Sequence, residues 1–78
     1  IDTISAELKK NIREITRITD MHVWEITSGM YSFTAHIQVT MINYAKSKEI
    51  LEKINQLLGE KYGIEHTTIQ LEPEDNKQ

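Results

Sequence analysis

Among the three histidines and twelve carboxylates of this 78-residue chain, the candidates to hold a divalent cation are His22, His36, His66 and Glu72. Imidazole nitrogen and carboxylate oxygen are what a borderline-soft ion such as zinc accepts when thiolate is absent, and the chain has no cysteine. Parity decides which of the four can meet. From Tyr31 to Thr40, Tyr31, Phe33, Ala35, Ile37 and Val39 alternate with Ser32, Thr34, His36, Gln38 and Thr40. A strand here buries one face and carries His36 on the other. From His66 to Glu72, Thr67, Ile69 and Leu71 alternate with His66, Thr68, Gln70 and Glu72. If one layer covers both apolar sides, His36, His66 and Glu72 line a single uncovered face. At about 3.3 Å rise per residue, however, His66 and Glu72 stand on the order of 20 Å apart. His36 can therefore share a site with one of them but not both, and a second chain or a segment elsewhere must complete a tetrahedron. The competing expectation for each histidine is simple solvation on a polar strand face.

His22 has two readings, because Met21, Val23, Trp24 and Ile26 place apolar groups on both sides of its strand. It is either a structural histidine or, if Met21 and Val23 face the covering layer, a neighbour of Trp24 and Ile26 on the open face. In the second case an exposed Trp24 marks a contact surface and the domain is not a monomer. In the first, Trp24 packs in the core.

The elements that must position these groups follow from periodicity. Ile1, Ile4, Leu8, Ile12 and Ile15 recur at helical steps among charged residues, with Asp2, Thr3 or Ser5 as cap. The β-branched run Ile15, Thr16, Ile18, Thr19 is expected to end that helix. Met21 to Thr27 reads as a strand closed by Ser28-Gly29, a hairpin turn. After a loop through Asn43, Ser47 is the expected N-cap of a second helix. Its stripe is Ile50, Leu51, Ile54, Leu57, Leu58 and Tyr62, and Gly63 is its C-terminal stop. Gly59 inside it costs about 1 kcal/mol relative to Ala. Pro73 ends the last strand. The short turn makes the first two strands antiparallel, and the crossover helix makes the last one parallel. The expected fold is α+β: an open α-β-β-α-β sandwich of ferredoxin-like, metallochaperone-like character, with a three-stranded mixed sheet and both helices on one face. It occupies residues 1–73 as one domain, followed by a polar tail over 74–78.

Composition narrows the function. A net charge of -3 and a pI near 5.5 exclude the basic footprint of a nucleic-acid binder and suit a cationic guest. No apolar run approaches the roughly 18 residues of a membrane span, and no signal-peptide pattern is present. The start at Ile1, directly into helical periodicity, is what a segment of a longer protein would show. Without a Gly-rich phosphate loop, an HExxH or a supported Ser-His-Asp set, the chain is not expected to be an enzyme.

The segments Asp20-Met21-His22-Val23-Trp24, Thr27-Ser28-Gly29, Ala35-His36-Ile37 and His66-Thr67-Thr68-Ile69-Gln70-Leu71-Glu72 occur in an order and spacing that closely resembles the cytosolic C-terminal domain of cation diffusion facilitators. That resemblance implies a V-shaped homodimer beneath a six-helix transmembrane domain of the same chain, which exchanges a divalent cation for protons. The cation is Zn2+, or alternatively Co2+, Cd2+, Mn2+ or Fe2+. It also implies a cytoplasmic domain of a membrane protein, at the bacterial inner membrane, in which metal binding draws the protomers together and favours transport. Carried onto this sequence, it implies metal ligation by His36 and Glu72, by His66 as in some members, and by His22 less regularly. Thr19 stands where members commonly carry His and Gln70 where some do, and neither is a good zinc ligand. The alternative function on the same fold is a small-ligand or protein-binding module without metal dependence, anchored on Trp24. An acylphosphatase-type enzyme lacks its Arg-bearing phosphate loop here.

Overall fold

The computed structural model describes residues 2–40 and 43–74. The order is α1 (Asp2–Asn11), β1 (Ile15–Thr27), β2 (Met30–Val39), α2 (Tyr44–Tyr62) and β3 (Ile64–Pro73). β2 is central, antiparallel to β1 and parallel to β3. The core lies between the sheet and one helical layer. Ile4, Leu8, Ile50, Ile54 and Leu58 from the helices meet Phe33, Ala35, Ile37 and Val39 from β2, with Ile12, Ile15 and Ile64 closing its ends. The alternation read along β2 is therefore the alternation of burial, and His36 lies on the face away from the helices. Among the described residues no helix is long and apolar enough to cross a membrane. Met41, Ile42 and the tail from Asp75 onward lie outside the described residues, as does Ile1 of the first helical stripe.

Two expectations about element ends are corrected. The first helix stops at Asn11, and Ile15–Thr19 belongs to β1. Ile15 is buried, as the helical stripe required, but as the first strand residue, with its N–H donating to the Ile12 carbonyl at 3.1 Å. The β-branched residues that end a helix here gain a partner strand, since Ile15 pairs with Val39, Ile18 with Ile37 and Thr19 with His36. Period two is invisible along this stretch because the register shifts between Ile15 and Arg17 and again between Thr19 and His22. Thr3 and Ser5 lie inside α1, so neither is its cap, and the Asp2 side chain is outside the described residues.

The second correction concerns the start of α2. Asn43, not Ser47, is the N-cap: its side-chain oxygen accepts from the Lys46 N–H at 2.8 Å, while Ser47 Oγ, already a turn inside, donates to the Tyr44 carbonyl at 2.8 Å. Asn43→Ala should lower stability in urea unfolding by about 1 kcal/mol, whereas Ser47→Ala should change it by less than about 0.5 kcal/mol. At the other end Gly63 takes φ 68° and its N–H returns to the Gly59 and Leu58 carbonyls, a left-handed cap that favours glycine. Ion pairs also tie α2 to α1 and to the turn that follows α1. Lys61 in the last turn of α2 binds Glu7 of α1, and Lys46 reaches Glu14 at 3.1 Å. Hydrogen bonding from these lysines holds the Glu7 and Glu14 carboxyls below the usual carboxylate range.

Candidate metal centre

β2 and β3 run in parallel register with His36 beside Gln70, Thr34 beside Thr68 and Ser32 beside His66. Side chains of one parity on neighbouring strands share a face, so a row of polar groups crosses the uncovered side of the sheet. Within it, His36 Nδ1 lies 2.7 Å from Glu72 Oε2, and the same oxygen accepts from Gln70 Nε2 at 2.9 Å. His36 and Glu72 are part-exposed, at 41% and 27% of their side-chain surface, which leaves room for a further ligand. Both donors are of the type zinc takes.

On the β1 side of His36, a hollow of about 230 Å³ is lined by Asp20, His22, Thr34, Ala35, His36, Thr68 and Gln70. The β1 bulge makes it. Asp20 adopts φ 53°, a left-handed conformation that Asp tolerates better than most residues, between the Thr19–His36 and His22–Thr34 pairs. Met21 and Val23 then pack against the core, and His22, Trp24 and Ile26 are exposed, Trp24 at 47% and Ile26 at 52%. Of the two readings of His22 and Trp24, the open-face one holds.

The structure thus brings His36 and Glu72 together, sets His22 with His36 on the lining of the adjoining hollow, and leaves His66 apart, beside Ser32 and in line with Trp24. Among the described residues no group of three or more His, Cys, Asp or Glu side chains is arranged to hold a metal. A two-ligand centre in one chain is what the strand spacing required. Sequence reasoning missed two neighbours. Gln70, set aside there as a poor ligand, orients Glu72, a role open to any amide sharing its strand parity. Asp20 reaches the hollow only through its left-handed backbone, which no sequence pattern announces.

The family model for the cation efflux protein cytoplasmic domain matches residues 1–74. The chain belongs to this family. Among relatives of the cation efflux domain, the metal cation efflux system protein CzcD of Cupriavidus metallidurans is 36% identical over 75 residues, covering 91% of this chain and 23% of that protein. The domain spans less than a quarter of the length of the first curated relatives it matches, 12%, 18% and 23%. Among solved structures, the metal-bound C-terminal domain of CzcD from C. metallidurans superposes with TM-score 0.68 at 34% identity, covering 86% of this chain and 94% of that one. The metal-bound C-terminal domain of CzcD from Thermotoga maritima superposes with TM-score 0.81 at 20% identity, covering 99% and 90%, a likeness of fold.

Proposed function

We propose that this domain, residues 1–73, is the cytosolic dimerisation and metal-sensing module of a proton-coupled efflux transporter for a divalent cation, zinc first among them. The observation that carries the reading is the 2.7 Å contact between His36 and Glu72 on the open face of the sheet. It is supported by family membership and by the metal-bound state of a CzcD domain 34% identical to this one. His36 and Glu72 would hold the ion, with Asp20 and His22 beside it. When bound, a divalent cation supplies positive charge where each chain, at net charge -3, otherwise repels a second copy.

The chain's own part is preorganisation. β2 and β3 fix the two ligands across a regular ladder, and the Gln70 amide holds the Glu72 carboxylate toward His36. The partners are a second copy of the domain and the transmembrane domain of the same protein, at the bacterial inner membrane, and the domain itself catalyses no reaction. Zinc titration by calorimetry should give binding heats that His36→Ala removes. Equal heats from both proteins would sink the metal assignment. A second reading, protein binding without metal, is favoured by the exposed Trp24, Ile26 and Met30 at the hairpin end. His36→Ala would spare it and Trp24→Ala would not.

A further inference from the structure

The two flanks of α2 carry opposite charge. Toward α1, Lys46 is ion-paired to Glu14 and Lys61 to Glu7, while Lys53, paired with Glu49, lines a shallow hollow with Asn11 of α1. The flank toward β3 is acidic. Glu52 stands at helical steps from Asn55 and Gly59, and the stretch Ile64 to Glu74 holds Glu65, Glu72 and Glu74 without a Lys or Arg. Lys48, two turns before Asn55, is the one cation at helical spacing on this side. Among the described residues neither Glu52 nor Glu65 is ion-paired.

β3 is also an edge strand. Glu74 N–H donates inward to the Val39 carbonyl at 2.8 Å, so even-numbered residues of β3 turn their backbone groups to β2, and Thr67, Ile69 and Leu71 turn theirs outward. Edges are ordinarily guarded by lysine or by a bulge. The β1 edge is broken by three register shifts, whereas from His66 to Leu71 β3 has neither a lysine nor a shift. It is the edge competent to accept another strand.

Beside these outward groups lies a hollow of about 570 Å³, lined by Asn55 and Gly59 of α2 and by Glu65, His66 and Thr67 of β3. A glycine keeps it open. Gly59 costs the helix about 1 kcal/mol relative to Ala, yet a Cβ added there would meet nothing nearer than the Ile64 carbonyl oxygen, at 3.8 Å. A longer side chain at this position would fill the hollow.

We propose that the β3 edge accepts an extended basic segment of another protein, which pairs with Thr67, Ile69 and Leu71 and lays Lys or Arg side chains along Glu52 and Glu65. Strand addition takes its affinity from main-chain hydrogen bonds and its selectivity from side chains at alternate positions. The carboxylates supply that selectivity here. The added strand lies beside the open face that carries His36, Glu72 and Trp24, so this interaction neither uses the metal centre nor depends on the metal-sensing reading.

The probe is an acetylated, amidated peptide of alternating Lys and Val, titrated into the isotope-labelled 78-residue chain. The amide resonances of Thr67, Ile69 and Leu71 should shift, their hydrogen exchange should slow, and affinity should fall as salt is added. Glu65→Lys should weaken binding at least about tenfold, because like charge replaces opposite charge. Gly59→Gln should weaken it as much by filling the hollow, in a helix with a better helix former than glycine. The same peptide with Glu in place of Lys should not bind, and Trp24→Ala should leave binding of the Lys peptide unchanged. No binding of the Lys peptide, equal binding of both peptides, full affinity in Glu65→Lys or Gly59→Gln, or shifts confined to Trp24 and Ile26 would overturn the proposal. Outward amides already slow to exchange in the peptide-free chain would overturn it too, since a second copy would then occupy the edge.

Discussion

Glu72→Ala is expected to weaken zinc binding by at least about tenfold while changing the stability of the metal-free chain by less than about 0.5 kcal/mol. The two halves of that expectation have separate causes. Glu72 supplies the only carboxylate in contact with His36 among the described residues, and its oxygen is also the acceptor for Gln70. Removing it takes away an anionic ligand and releases the amide that aims it. Its side chain stands on the open face at the end of β3, outside the core, and the imidazole and amide it leaves behind can turn to water. Glu72→Gln separates charge from shape, because the amide oxygen can still accept from Gln70 but is a far poorer ligand. Calorimetric titration of the three proteins, with urea unfolding of each without metal, reads both effects. A loss of stability as large as the loss of affinity would recast the His36–Glu72 contact as a folding device.

Phe33→Ala should have the largest effect on folding, a loss of about 3 to 5 kcal/mol. Phe33 is fully buried on the central strand, in the middle of the cluster that joins both helices to the sheet. A domain of this length has a total stability of roughly 4 to 12 kcal/mol, so the substitution should leave much of the isolated chain unfolded near body temperature. Its neighbour of opposite parity, Thr34, lies on the open face and should tolerate Ala within about 0.5 kcal/mol. Urea unfolding followed by Trp24 fluorescence checks the pair. Comparable losses at Phe33 and Thr34 would contradict the assignment of faces on which the metal centre depends.

That assignment was legible in the sequence wherever side chains alternate in type. β2 declares its buried face residue by residue, β3 does so from Thr67 to Leu71, and Gly63 announces the end of α2 by the conformation it alone takes cheaply. β1 does not, for a physical reason. Its bulges break the two-residue period, and Ile15 satisfies a helical stripe and a strand position equally well, so the strand's first third read as the tail of a helix. The start of α2 was misplaced because both Asn43 and Ser47 are good caps. Which one serves is decided by whether Tyr44–Lys46 can be helical, and its own composition leaves that open.

For the site, parity was enough to put His36 and Glu72 on one face, and strand rise was enough to separate His66 from Glu72. The 2.7 Å contact needs the parallel register, which sets His36 beside Gln70 and within diagonal reach of Glu72. Nothing local encodes that register: it emerges from the length of the α2 crossover and the seating of Ile64 under the helices. The rim residues His22 and Asp20 depended further on a left-handed backbone in mid-strand. The exposure of Trp24 followed once that bulge set the face of its strand.

Small-angle scattering of the 78-residue chain, with zinc added stepwise, tests the central claim most directly. The domain is predicted to be dimeric, and the dimer is predicted to become more compact as zinc saturates, with no such change in His36→Ala. A scattering profile that is unchanged by saturating zinc, or that changes equally in His36→Ala, would contradict metal sensing at this centre.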